Sequence, residues 1–120
     1  FWVAFARRWC LIPADGFYEW RMDGNQKYPY LFTLKERRPF TFAGLWEVWK
    51  DPEGKEIKSC TIITTEPNSL LAEYHNRMPV ILTDSNRWQW LEPKPSEILL
   101  KMMSPIDEQL MSPPQRLDKI

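Results

Sequence analysis

Turn-forming residues cut the first 65 residues of this chain into short extended runs, and that punctuation restricts it to a mostly antiparallel sheet. Pro13 and Asp15-Gly16 mark a bend after the run Trp9-Cys-Leu-Ile12. Asp23-Gly24-Asn25 follows Gly16-Phe-Tyr-Glu-Trp-Arg-Met22, and Asp51-Pro-Glu-Gly54 follows an aromatic and β-branched run from Phe40 to Trp49. Asp-Gly sequences between apolar runs are hairpin signals, because glycine reaches the positive φ that a tight turn needs. The strand after the first hairpin, Lys27 to Leu34, contains Pro29, which cannot donate to a ladder and so predicts an edge or a bulge. Gly44, inside the aromatic run, predicts a bulge or a close backbone approach. Ile57 to Thr65 returns as the next strand. Asn68 or Ser69 caps a short helix over Leu70 to His75, and Met78 to Leu82 reads as a short buried strand. Helices are expected from Asp84 or Ser85 to Leu91 and from Ser96 to Met103. Beyond Pro105 the pattern fades, and Pro113-Pro114 with a charged end predicts a loose tail. The architecture expected is α+β: a curled, mostly antiparallel, barrel-like sheet with a few short helices.

The chain has 120 residues, enough for one domain with a real core. Sixteen basic and sixteen acidic side chains cancel, so net charge neither favours nor excludes nucleic acid. Arg7-Arg8 and Arg37-Arg38 are adjacent basic pairs, a weak sign of a basic face. Cys10 and Cys60 lack metal-ligand spacing and sit in apolar segments, which reads as two reduced, buried core thiols and no metal site. No apolar run approaches the roughly 20 residues of a membrane-spanning helix. The start, Phe1-Trp-Val-Ala-Phe5, has no initiator Met and no polar lead-in, so the chain reads as a single domain over 1–120 that is incomplete at its front.

Two distant segments place proton-transfer groups in apolar or aromatic settings. Glu19 lies between Tyr18 and Trp20 in an extended run. Strand alternation puts it on the face of Phe17, partly out of water, where a carboxylate suits general acid/base work. The alternative is a surface Glu paired with Arg21 or Lys27. His75, the one histidine of the chain, ends the short predicted helix ahead of Asn76-Arg77-Met78-Pro79. It reads either as an acid/base group or as a structural histidine packed under the turn. Arg77 is able to hold a phosphate or to pair with Glu73. Thr64-Thr65 at a strand end offers hydroxyl donors, and Trp20, Trp46 and Trp49 offer stacking surfaces for bases or simply core. No phosphate-binding glycine loop, nucleophile elbow or nucleophile with an adjacent base is present.

Four ordered segments carry a family resemblance: Arg8-Trp-Cys-Leu-Ile-Pro-Ala-Asp-Gly-Phe-Tyr-Glu-Trp20, Phe42-Ala-Gly-Leu-Trp-Glu47, Cys60-Thr-Ile-Ile-Thr-Thr65 and His75-Asn-Arg-Met-Pro-Val-Ile-Leu82. Together they resemble the SOS-response-associated peptidase (SRAP) family over about residues 7–92, and the stretch 104–120 matches poorly. The resemblance implies proteins that sense and shield abasic sites in single-stranded DNA. In them an N-terminal cysteine, exposed by self-removal of the initiator Met, closes a thiazolidine crosslink on the ring-opened sugar. It implies proton transfer by Glu19 and His75, DNA contacts from Arg8, Trp20, Thr64 and Arg77, no cofactor or metal, and a monomer. The compartment implied is the cytoplasm in a bacterium or the nucleus in a eukaryote. The chain as given begins Phe1-Trp2, without the family's N-terminal cysteine, so these residues alone are expected not to form the crosslink. The other reading kept open is a non-catalytic single-stranded nucleic-acid-binding module.

Overall fold

The structure, a computed structural model, describes residues 2–118. A short helix α1 (Trp2–Arg7) leads into strands β1 (Trp9–Ala14), β2 (Phe17–Asp23), β3 (Gln26–Phe32), β4 (Phe40–Lys50) and β5 (Glu56–Ile62). Four two-residue strands complete the sheets: β6 (Thr64–Thr65), β7 (Met78–Pro79), β8 (Ile81–Leu82) and β9 (Gln115–Arg116). Helices α2 (Arg87–Leu91) and α3 (Ser96–Met102) fall close to where the caps predicted them. All strand pairings are antiparallel, in three sheets: β1-β4-β5 with β8 also on β4, β2-β3-β9, and β6-β7. This is the expected α+β fold with curled sheets; among the described residues they do not close into a barrel.

The turns form where the glycines placed them. Gly24, at φ 65°, closes the β2-β3 hairpin, whose last pair is Asp23 with Gln26. Gly54, at φ 88°, closes the β4-β5 turn, where the Asp51 carboxylate accepts the N–H groups of Glu53 and Lys55 at 2.9 and 2.8 Å.

Strand β4 organises the core because both faces of its first half, Phe40 to Leu45, are covered. Phe40 and Phe42 point into one cluster with Tyr30, Phe32, Leu71, Met78, Ile81, Ile106 and Met111. Ala43 and Leu45 point into a second with Val80, Leu82, Trp90 and Leu99. At Gly44 the pairing with Cys10 and Ile62 is continuous, so the residue marks a close approach rather than a bulge. A Cβ there would lie 2.7 Å from Ile12 Cδ1 and 2.9 Å from Cys10 Sγ. Where β5 leaves β4 and β8 joins it, three peptides exchange hydrogen bonds. Ile63 donates to Ala43, Ala43 to Val80 and Val80 to Ile63, at 2.8–2.9 Å.

Several expectations are revised. Strand β3 is not an edge: β2 flanks one side and β9 the other, and Pro29 takes part through its carbonyl, which accepts from Leu117 at 2.9 Å. The helix before His75 is a single 3₁₀ turn, Leu71–Glu73, capped by Asn68. Cys60 is exposed, since the β5 face that carries it has no covering element; Cys10 is half-buried, and neither is in a disulfide. The segment after Pro105 is packed rather than loose. Ile106 and Met111 are buried, Met111 bridges Leu34, Ser112 donates to Thr33, and β9 adds to β3. Phe1, the first residue of the apolar stretch Phe1 to Phe5, lies outside the described residues.

Candidate functional site

Strand β2 presents its residues as alternation dictates. Phe17, Glu19, Arg21 and Asp23 are half-buried on one face, while Tyr18, Trp20 and Met22 are exposed on the other. Glu19 sits directly opposite Tyr30 on β3 and is flanked by Phe17, whose ring stacks on Phe32 with centroids 5.3 Å apart. The predicted apolar neighbourhood is therefore present. Arg21 turns to Asp23 and the tyrosines and not to Glu19, so the bland pairing reading fails for Arg21.

The second segment docks on that same face through the residue before the histidine. The Tyr74 ring packs edge-on against Tyr30 at 4.9 Å and Phe32 at 5.1 Å, and the Arg21 guanidinium lies 4.3 Å from its centroid. His75 itself is exposed. Its backbone N–H donates to the Leu71 carbonyl, and its Nδ1 lies 3.1 Å from the Arg77 N–H, which it accepts when unprotonated. Nδ1 is also 3.2 Å from the Arg77 carbonyl, so a protonated ring has an acceptor already in place. No hydrogen bond joins Glu19 and His75 among the described residues. Neither lines the concavity of about 460 Å³ between Leu34–Phe40 and Leu82–Ser85. What meets is Tyr30, the cross-strand partner of Glu19, and Tyr74, the residue before His75.

Arg77 and Thr64 form one unit with His75. The Arg77 guanidinium donates to the Thr64 carbonyl at 2.8 Å and to its hydroxyl at 3.2 and 3.3 Å, while Thr64 pairs with Pro79 across β6-β7. Arg77 makes no ion pair among the described residues, neither with Glu73 nor with any other carboxylate. Arg8 stands apart, at the start of β1. It is ion-paired with Glu47 and lies over the Trp46 ring at 5.2 Å, so its charge is already partnered. Trp20 is 47% exposed on the face of β2 opposite Glu19. Trp46 and Trp49 are likewise exposed rather than core.

A cluster the sequence reading missed ties these parts together. Arg21 Nε donates to Asp23 at 3.1 Å and Nη2 to the Tyr30 hydroxyl at 3.1 Å; that hydroxyl donates in turn to the other Asp23 oxygen. Arg116 of β9 approaches Asp23 at 3.7 Å and covers the Tyr28 ring at 4.3 Å. The Tyr30 bond, with help from Arg21, holds the Asp23 carboxyl below its usual range, and the same bond pushes the Tyr30 hydroxyl up. The signal was available as period-2 spacing: Glu19, Arg21 and Asp23 share one strand face. Among the described residues no group of three or more His, Cys, Asp or Glu is placed to hold a metal ion.

Glu19 on β2 and the His75–Arg77 turn thus flank a shared cluster of Tyr30, Tyr74 and Arg21 on antiparallel sheets. The chain belongs to the SRAP family: the family model described as SOS response associated peptidase matches residues 1–115. It is 50% identical over 101 residues to the abasic site processing protein YoqW of Bacillus subtilis, covering 82% of this chain and 45% of that protein. It is 32% identical over 124 residues to the abasic site processing protein HMCES of Xenopus tropicalis, covering 86% and 37%. The chain thus spans less than half the length of these relatives. Among solved structures, a protein from Bordetella bronchiseptica superposes with a TM-score of 0.90 at 28% identity, over 99% of this chain and 59% of that one. One from Bacteroides thetaiotaomicron gives 0.87 at 32%, over 96% and 51%.

Proposed function

We propose that this protein acts on abasic sites in single-stranded DNA, with Glu19 and His75 moving protons and Arg77, held by Thr64, meeting a phosphate beside the lesion. The observation that carries the reading is the join between His75 and Arg77. The Arg77 backbone N–H meets the imidazole of His75, while the Arg77 guanidinium, with no carboxylate partner among the described residues, is held on Thr64, in a chain 50% identical over 101 residues to an abasic site processing protein. The chemistry fits those groups. Opening the abasic sugar breaks the C1′–O4′ bond of a hemiacetal; a base takes the proton of the C1′ hydroxyl and an acid delivers one to O4′. Condensation of an amine with the resulting aldehyde releases water and needs the same two services, and a thiol adding to the imine closes a thiazolidine. Neither Cys10 nor Cys60 offers a free α-amine beside its thiol, so the aminothiol of that step is not one of them. Self-removal of an initiator Met assisted by Glu19 belongs to the same reading. Arg8, already paired with Glu47, and Trp20, on the far side of β2, take at most peripheral parts in DNA contact.

The test uses single-stranded oligonucleotides with and without one abasic site, following binding by fluorescence anisotropy and the free aldehyde by trapping with an alkoxyamine. Tighter binding to the abasic strand and faster trapping with protein present are expected. Glu19→Gln and His75→Ala slow trapping while binding persists. Arg77→Ala weakens binding to both strands and lowers the salt slope by about one. Equal binding to both strands, with trapping indifferent to Glu19 and His75, overturns the catalytic reading in favour of a single-strand-binding module working through the exposed Tyr18, Trp20 and Met22 face.

A further inference from the structure

We infer that Arg21 is a positioning residue that holds the His75 segment against the strand bearing Glu19, acting through the ring of Tyr74. The inference deepens the function proposed above, since it concerns how the two proton-transfer groups of that site are kept in register.

Glu19 and Arg21 are two residues apart on β2 and share its inner face. The Arg21 guanidinium is fixed from below by three bonds and faces. Nε meets Asp23 and Nη2 meets the Tyr30 hydroxyl, each at 3.1 Å, and the Tyr30 ring lies 4.8 Å away. Its free face covers Tyr74 at 4.3 Å. Tyr30 is also the cross-strand partner of Glu19, so one planar cation spans from the neighbours of the carboxylate to the residue preceding the histidine. A planar guanidinium suits this place, because it stacks on an aromatic face while its edge donates in fixed directions; an ammonium does only the first. The device is separable from folding. Tyr74 keeps its edge contacts with Tyr30 and Phe32 without Arg21, and the 3₁₀ turn before it is closed by Asn68. Loss of Arg21 therefore loosens the position of His75 while the core remains.

His75 is the only histidine, so its imidazole proton resonances are assigned without ambiguity and report on position directly. The experiment compares wild type, Arg21→Lys, Arg21→Met, Tyr74→Phe and Tyr74→Leu by NMR at fixed pH. The alkoxyamine trapping rate on abasic single-stranded DNA is measured alongside. Arg21→Met and Tyr74→Leu are expected to shift and broaden the His75 signals and to slow trapping about ten- to a hundredfold, the size of loss that small misplacement causes. Tyr74→Phe, which keeps the ring, stays near wild type, and Arg21→Lys recovers only part. The double variant Arg21→Met/Tyr74→Leu is no slower than the worse single one, because both remove one coupling. His75 signals in Arg21→Met that superimpose on wild type, or additive losses in the double variant, refute the inference. A wild type that traps no aldehyde refutes the proposed function instead, while the NMR comparison still decides whether Arg21 positions the histidine.

Discussion

Replacing Asn68 tests whether one buried amide holds the turn ahead of His75 to the C-terminal segment. Asn68 is 7% exposed. Its Oδ1 accepts the N–H of Leu71 at 2.9 Å, and its Nδ2 donates to the Ile106 carbonyl at 2.9 Å, with Met111 Sδ at 3.5 Å. Leu71, Ile106 and Met111 are all buried, so water cannot replace either bond without opening the core. Asn68→Ala removes a helix cap, costing about 1 kcal/mol. It also orphans the Ile106 carbonyl, costing about 1–3 kcal/mol more. The expected loss is about 2–4 kcal/mol, a large fraction of a small domain's stability. Asn68→Ser restores the cap acceptor without reaching Ile106, and recovers about 1 kcal/mol of that loss. Asn68→Asp keeps the cap but turns an oxygen toward the Ile106 carbonyl, so it stays below Asn68→Ser at neutral pH. Its deficit shrinks at low pH, where the protonated acid donates to that carbonyl. Urea unfolding followed by tryptophan fluorescence measures all three. An Asn68→Ala variant within about 0.5 kcal/mol of wild type, the range of an ordinary surface substitution, refutes the argument.

Three further outcomes follow from the packing. Gly44→Ala forces a methyl group to within 2.7 Å of Ile12 Cδ1 and 2.9 Å of Cys10 Sγ and costs about 1–3 kcal/mol in urea unfolding; Ile12→Val in the same chain recovers part of it, and full independence of the two changes argues against the clash. Trp90 is fully buried and its Nε1 lies 3.1 Å from both the Cys10 and Gly44 carbonyls, so Trp90→Phe loses about 0.5–1.5 kcal/mol for that hydrogen bond in addition to its packing loss, measured by thermal unfolding. Lys94 lies over Trp9 at 3.4 Å and Trp90 at 5.1 Å, where burial pushes its amine down to about 8 against the partial pull of Glu92. The unfolded chain then holds more protons than the folded one between about pH 8 and 10.5, so this contribution to stability rises with pH across that window. Wild type is expected to gain on Lys94→Met from pH 7 to pH 10 in urea midpoint, and parallel curves refute it.

The parts of the fold legible in the sequence are those set by local chemistry. Gly24 and Gly54 occupy turns that require positive φ, and Asp51 satisfies the second turn with its own carboxylate. Strand alternation placed Phe17 and Glu19 on one face and Tyr18 and Trp20 on the other before any contact was known. What stayed hidden depends on partners distant in the chain. Met78 to Leu82 reads as one apolar strand, yet it divides at Val80, whose peptide is shared between Ala43 and Ile63. The same junction ends β5 at Ile62. Exposure of Cys60 and the burial of Met111 had no periodic signal, because each depends on whether another segment covers that spot. Cap chemistry pointed to Asn68, but not to the second bond that anchors the C-terminal segment through Ile106.

The candidate site follows the same division: Glu19 and His75, proposed above to move protons, stand out sooner than the side chains packed around them. A carboxylate on a half-buried strand face and the one histidine of a chain stand out by residue type. Arg21, Asp23, Tyr30 and Tyr74 do not, because arginine, aspartate and tyrosine are ordinary on strands and turns. Their meaning comes from a register in which Tyr30 opposes Glu19, and from a turn that lays Tyr74 against Tyr30 and Arg21. The charge balance of the face follows from that arrangement. The charge of Arg21 is matched by Asp23 and that of Arg8 by Glu47, whereas Arg77 bonds only to the neutral oxygens of Thr64. An incoming anion at the His75 motif therefore meets a guanidinium that has no carboxylate partner among the described residues. That asymmetry makes Arg77→Ala and Arg8→Ala unequal: the first is expected to weaken single-strand binding and its salt dependence together, the second to leave both near wild type, because Glu47 already holds that charge. Equal losses from the two substitutions would show that the anion is read by the whole basic surface rather than at the His75 motif.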